Sequence, residues 1–212
     1  MKSNCPSKLW KWSVLILSGM LALAWYQKGS AQVVAASVKE SLRNAILNGD
    51  FSKGIKGWSK VTVDWKAADY VTLEAVEIND RGQARNELMV KRPAGSKGFR
   101  VYDVNLIRVN PDRTYKASVL AAGEGAISIG VWEYSEEKDT LRYKSSRLED
   151  LTPEMRLLEF EVQPGAKTTR IRTVIEFKED MSDPGGMRSS RIRECAFLVP
   201  EAEYDAAISE PK

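Results

Sequence analysis

The chain has 212 residues, 43% of them hydrophobic and 29% charged, the balance of a globular protein large enough to bury a core. It contains no histidine, which excludes Ser-His-Asp and Cys-His catalysis, histidine proton shuttling and histidine-bearing zinc or iron sites. Two cysteines, Cys5 and Cys195, are too few for a cysteine zinc cage or a disulfide framework.

In chain order, residues 1–31 read as a secretory signal peptide. Lys2, Lys8 and Lys11 give a basic start, Trp12 to Tyr26 is uncharged and apolar, and Gly29-Ser30-Ala31 predicts cleavage before Gln32. The apolar stretch is shorter than the roughly 20 residues of a spanning helix, so no stable membrane insertion is expected after cleavage. An uncleaved anchor is the alternative. No cysteine follows the stretch, so a bacterial lipid anchor is not expected. The expected location is extracellular, cell-surface or periplasmic.

Lys2, Lys8, Lys11 and Lys28 fall in the signal with no acid beside them, so the residues from Gln32 onward hold 28 basic and 29 acidic side chains. Without a cationic excess, nucleic-acid binding loses its electrostatic support. Cys195 is then left without an intramolecular partner and is expected to be buried and inert.

Residues 32–43 read as a linker or short helix, 44–200 as one domain, and 201–212 as an acidic, alanine-rich tail. Within the domain, period-2 alternation of β-branched and aromatic residues predicts strands at 61–65, 70–78, 100–109, 115–121, 127–134, 157–162, 169–177 and 192–199. Turn chemistry separates them, as at Asn79-Asp80-Arg81-Gly82, Asn110-Pro111-Asp112 and Gln163-Pro164-Gly165. Such a series without a long amphipathic helix predicts an all-β antiparallel sandwich.

The faces of these strands carry the functional signal. Ile127, Ile129 and Val131 alternate onto a core face, which turns Trp132 and Tyr134 the other way beside Ser128 and Gly130. In the same way Ile171, Ile175 and Phe177 face inward, leaving Arg170, Arg172, Val174, Glu176 and Lys178 outside. Trp65 shares the parity of Val61 and Val63 and is expected in the core. Trp132 is expected as an open platform whose removal costs ligand but little stability.

The stretch Asn44-Ala45-Ile46-Leu47-Asn48-Gly49-Asp50-Phe51, followed by Gly54 and Gly57-Trp58, resembles the opening of the CenC-like carbohydrate-binding modules of families four and nine. Asn105-x-Ile107-x-Val109-x-Pro111-x-x-x-Tyr115 is similar to a second motif of that family. Leu151-Thr152-Pro153 running into Leu158-Glu159-Phe160, and the closing strand Ile192 to Pro200, extend the likeness over residues 44–200. The resemblance implies a galactose-binding-like jelly roll that holds glycans on a concave sheet face, often with a structural calcium ion. It places Asn105 where the family has a cleft glutamine and makes Trp58 a core residue. Ser52 and Glu194-Cys195 stand where the family has acidic residues, which leaves Asp50 and Glu194 as the oxygen ligands for calcium.

Stacking on the C–H faces of sugar rings needs aromatic surfaces, and fixing hydroxyls needs planar polar groups. Trp132, Tyr134, Tyr102, Asn105, Arg100, Arg172 and Glu176 are the candidates, with Tyr70 a further aromatic. The reading is a secreted, non-catalytic module whose partner is a poly- or oligosaccharide. One alternative is an extracellular structural or protein-docking module, which would show an exposed aliphatic patch. Another is a carboxylate-dependent glycoside hydrolase using Glu133 or Glu176.

Overall fold

A computed structural model describes residues 40–137, 139–181 and 185–209. The expected signal peptide, and most of the expected linker, lie outside the described residues. No helix among the described residues is long and apolar enough to cross a membrane.

Among the described residues, thirteen strands form two sheets, and every strand pair is antiparallel. The first sheet runs in the order β11 (Arg156–Val162), β7 (Tyr115–Gly123), β13 (Met187–Pro200), β4 (Gln83–Pro93), β3 (Thr72–Asp80), with β1 (Leu42–Asn44) on β13. The second runs β10 (Glu149–Asp150), β8 (Ala126–Tyr134), β12 (Arg170–Phe177), β5 (Phe99–Asp103), β2 (Trp58–Thr62). Its two remaining strands are β6 (Ile107–Arg108) on β12 and β9 (Thr140–Ser145) on β8. The fold is thus an all-β, two-sheet antiparallel sandwich.

The core lies between the sheets and follows from alternation. Tyr115, Ala117, Val119 and Ala121 of β7 meet Ile127, Ile129 and Val131 of β8 and Ile171, Ile175 and Phe177 of β12. Phe99 stacks on Phe177 with ring centroids 4.6 Å apart. In β13 the register shifts between Ile192 and Glu194, a bulge that lets Ile192 and then Cys195, Phe197 and Val199 all point inward. The Cys195 thiol is fully buried, and that burial raises its pKa well above the ordinary range.

The segment after β1 is held by its own polar side chains. The Asn48 amide donates to the carbonyls of Gly54 and Lys56, at 2.9 and 2.8 Å, and its oxygen accepts from the Lys53 amide at 2.9 Å. Trp58 donates its indole N–H to the Asn48 carbonyl at 3.0 Å and packs on Phe51, whose ring centroid is 5.3 Å away. Trp58 is therefore a buried structural residue.

Several features of the chain differ from the expected pattern, among them the run expected at 100–109, which divides into β5 and β6, and β4, which was not expected. Residues read as the start of a tail form a short turn of helix at Glu201–Glu203 and a helix α1 (Tyr204–Ile208), with Ala207 buried against the core. The strand expected at 61–65 ends at Thr62, where the chain turns sharply, and the parity of Val61, read as core-facing, is the outward one.

Candidate functional site

The outward face of the second sheet carries an aromatic cluster of its own. Cross-strand register places Trp132 beside Arg172 on one flank and Tyr143 on the other, and Tyr102 beside Val174. Trp132, Tyr134 and Val174 are buried there, with Val61, Tyr102, Leu106 and Tyr143 packed around them. Trp132 is 1% exposed. It faces the side that alternation assigned to it, but it is covered and is not an open platform.

Its cover is Trp65. The Thr62 amide donates to the Lys66 carbonyl at 2.8 Å, the Trp65 amide donates to the Thr62 carbonyl at 3.1 Å, and the Lys66 amide donates to the Thr62 hydroxyl at 2.9 Å. This tight turn puts Trp65 at a φ of +67°, a left-handed conformation that non-glycine residues seldom adopt. The Trp65 ring lies on that of Trp132, with centroids 4.3 Å apart and planes 25° from parallel, and it remains 53% exposed. One face of its indole is thus held by Trp132 while much of the ring meets solvent. The expectation of a core Trp65 fails because Val61, whose parity it shares, stands opposite Arg100 and itself packs into this outward cluster.

Around the two indoles the polar candidates are tied to one another. Arg100 Nε donates to Glu176 Oε2 at 2.7 Å, and its guanidinium also donates to the Val63 carbonyl at 3.2 Å, which anchors the turn to the sheet. The same guanidinium lies 4.6 Å from the centroid of Tyr143 and 5.8 Å from that of Trp132. Arg172 lies 5.3 Å from the centroid of Tyr102 and 5.5 Å from that of Tyr134, and it donates to the Val104 carbonyl at 3.0 Å. Burial is the main reason the Tyr143 hydroxyl is pushed up to about 12, with the Glu176 charge adding to it; burial likewise raises Tyr134. Both phenols are neutral hydrogen-bonding groups at any ordinary pH.

Six of the seven candidates, Trp132, Tyr134, Tyr102, Arg100, Arg172 and Glu176, therefore share one face. Asn105 sits at its margin, where its amide nitrogen donates to Asp103 at 2.8 Å. There it helps line a cavity of about 310 Å³, together with Leu106, Arg108, Arg170 and Arg172. Tyr70 is on the core side, edge-on to Phe99 at 6.3 Å. The alternation pattern missed Trp65 and Tyr143. Tyr143 is announced only by its place opposite Trp132, which needs the pairing of β8 with β9.

Glu133 and Glu176 do not form a catalytic pair. Glu133 stands opposite Ile171, on the inward parity of β8, whereas Glu176 stands opposite Ser128 on the outward one. Glu133 is fully buried; burial raises its pKa, but hydrogen bonds from the Thr168 hydroxyl, Arg142, the Gly165 amide and Lys144 together outweigh it and hold the carboxylate below the ordinary range.

The calcium ligands fare no better. Asp50 Oδ1 accepts from both the amide and the hydroxyl of Ser52, at 3.1 and 2.8 Å, so it caps its own turn. Glu194 is on the outer side of the first sheet beside Ser118, Leu120 and Leu157. Among the described residues, no three carboxylates or cysteines gather into a cluster that could hold a metal. Calcium takes six to eight oxygens, so Asp50 and Glu194 alone do not complete its shell.

No family model matches the sequence, and no curated protein matches it. Solved structures do. The enzymatically active domain of tailspike protein 4 from bacteriophage CBA120 matches over 74% of this chain with a TM-score of 0.58 and 10% identity. This chain spans 21% of that one. A family 61 carbohydrate-binding module, TmCBM61 in complex with β-1,4-galactotriose, matches over 75% of this chain and 99% of its own, with a TM-score of 0.49 and 17% identity. A family 4 module matches over 74% of this chain and 99% of its own, with a TM-score of 0.46 and 12% identity. At 10% identity the match to the tailspike domain shows a likeness of fold alone.

Proposed function

We propose that the protein is an exported, non-catalytic glycan-binding module whose ligand lies on the outward face of the second sheet. The observation that carries this reading is the half-exposed Trp65 indole held flat on Trp132. A rigid, solvent-facing aromatic surface bordered by Arg100, Tyr102, Arg172 and Glu176 combines the stacking and planar hydrogen bonding that sugar rings require. The platform is Trp65, with Trp132 as its support. The likeness of fold to carbohydrate-binding modules agrees with this use of the sheet.

The test is retention of the purified full chain on a panel of soluble and insoluble polysaccharides, with β-1,4-galactotriose and xylan among the first probes. Binding of at least one glycan, lost in Trp65→Ala, is the expected result. Failure of the wild-type chain to bind any glycan overturns it.

A second reading has one observation behind it. On the outer side of the first sheet, Leu157 is 60% exposed and borders a shallow depression with Leu120, Ala196 and Leu198. An aliphatic patch of this kind suits protein docking better than sugar binding.

A further inference from the structure

The cavity beside the aromatic face is lined by three arginines. Arg170 and Arg172 sit two residues apart on β12 and share its outward side, and Arg108 of β6 lies directly opposite Arg170 across the ladder. Like charges placed opposite each other on one sheet face destabilise it, so the arrangement needs a reason. Glu136 answers only Arg170, through its carboxylate at 2.8 Å and its carbonyl at 2.7 Å. Among the described residues lining the cavity none is acidic: besides the arginines they include Asn105, Leu47, Leu106 and Ser209. The nearby Asp103 carboxylate accepts from the Asn105 amide and side chain through Oδ1, and the Arg172 charge also acts on it.

Arg170 and Arg172 are set into the sheet. The Nε atoms of Arg170 and Arg172 are both buried without a hydrogen-bond partner, and Arg170 as a whole is only 3% exposed. A buried N–H without an acceptor is costly, and most such groups in proteins are satisfied. A guanidinium also presents its donors as a planar fork that matches an oxyanion with two or more oxygens. A cavity of about 310 Å³ is at the small end of ligand sites, suited to one sugar ring or its acidic substituent. Arg172 belongs to both places, since it lies over Tyr102 and Tyr134 and also lines the cavity.

We propose that this arginine cavity receives the acidic group of a charged glycan, a uronate carboxylate or a sulfate ester, while a neighbouring ring stacks on the aromatic face. The inference rests on the glycan-binding reading and narrows it to acidic polysaccharides. Arg108 and Arg172 supply the charge. Arg170, pinned by Glu136, forms the fixed floor.

The experiment measures affinity of the full chain for matched polymers. Polygalacturonate, alginate and glucuronoxylan are each compared with their carboxyl-reduced forms, and carrageenan with its desulfated form. Tighter binding of an acidic polymer than of its neutralised partner is expected, with added salt weakening the former. Arg108→Gln, at an exposed position, is expected to lower affinity for the acidic polymer about tenfold, the scale of one lost charge-assisted hydrogen bond. A preference confined to the carboxylate pairs or to the sulfate pair names the group. Equal binding of charged and neutralised polymers, or an Arg108→Gln affinity equal to wild type, overturns this inference and leaves glycan binding standing. Binding to no polymer at all overturns both.

Discussion

Trp65 and Trp132 lie face to face across the outward side of the second sheet, 4.3 Å apart, one half in solvent and the other sealed. The pair divides the work between ligand contact and support. Trp132 gains its burial from Trp65, Tyr102 and Tyr143, and Trp65 gains a fixed orientation from Trp132.

That division predicts opposite phenotypes. Trp65→Ala removes a half-exposed ring and one aromatic contact, which costs about 1 kcal/mol, but it deletes the stacking surface. Trp132→Ala empties a sealed site and is expected to cost about 3–5 kcal/mol. Urea denaturation of both variants beside glycan retention checks this. A Trp132→Ala chain as stable as wild type would mean the cluster is not packed as described.

Gly130 makes the close approach of β9 possible. A Cβ there would stand 2.5 Å from the Lys144 carbonyl oxygen and 2.9 Å from both Ser145 Cβ and the Tyr143 hydroxyl. Because the nearest atom is backbone, the strand has to move. Gly130→Ala is expected to destabilise the chain by about 1–3 kcal/mol and to change the near-ultraviolet circular dichroism of the Trp132–Tyr143 contact. An unchanged spectrum and melting temperature would contradict the packing.

The contrast between what could and could not be read from the residues has a physical basis. Inward alternation in β7, β8 and β12 was legible because one face of each is predominantly apolar, broken by Glu133 in β8 and Thr173 in β12. Asn48, Phe51 and Trp58 were legible as a motif because their hydrogen bonds and ring contact are local. Strand β4 was not: Glu87 and Arg92 interrupt it, and both are buried. Their partners, Arg193 for Glu87 and the Lys178 carbonyl for Arg92, come from distant parts of the chain. Trp65 was misplaced for a related reason. Val61 and Val63, whose parity it shares, look core-facing by composition, yet Val61 packs on the outward cluster and Val63 is half-exposed, and the turn after Thr62 uses ordinary residues, with Trp65 rather than glycine in the left-handed position. The outward cluster was half legible, since sequence shows which side Trp132 faces but not what covers it.

The metal question has a direct test. With Asp50 capping its own turn and Glu194 on the outer side of the first sheet, excess EDTA is expected to leave the melting temperature unchanged. A fall of several degrees, reversed by calcium, would require a site built otherwise.

Asp103 supplies the last prediction, because its burial acts against folding. Its Oδ1 accepts from the Asn105 amide and side chain at 3.1 and 2.8 Å, while its Oδ2 is buried without a partner. Burial pushes the carboxyl up to about 6 from an ordinary 3.8, only partly opposed by Asn105 and by the charge of Arg172. A raised folded-state pKa means that the folded chain holds a proton the unfolded chain has already released. Stability contributed by this group therefore falls as pH rises from about 4 through 6 and stays low above that. The difference corresponds to about 3 kcal/mol at neutral pH. Asp103→Asn keeps an oxygen for Asn105 and removes the ionisation. It is expected to raise stability at pH 7 by up to that amount and to change it little at pH 4. Urea midpoints of the two chains at the two pH values decide the matter, and an equal effect at both would show that Asp103 does not ionise across this range.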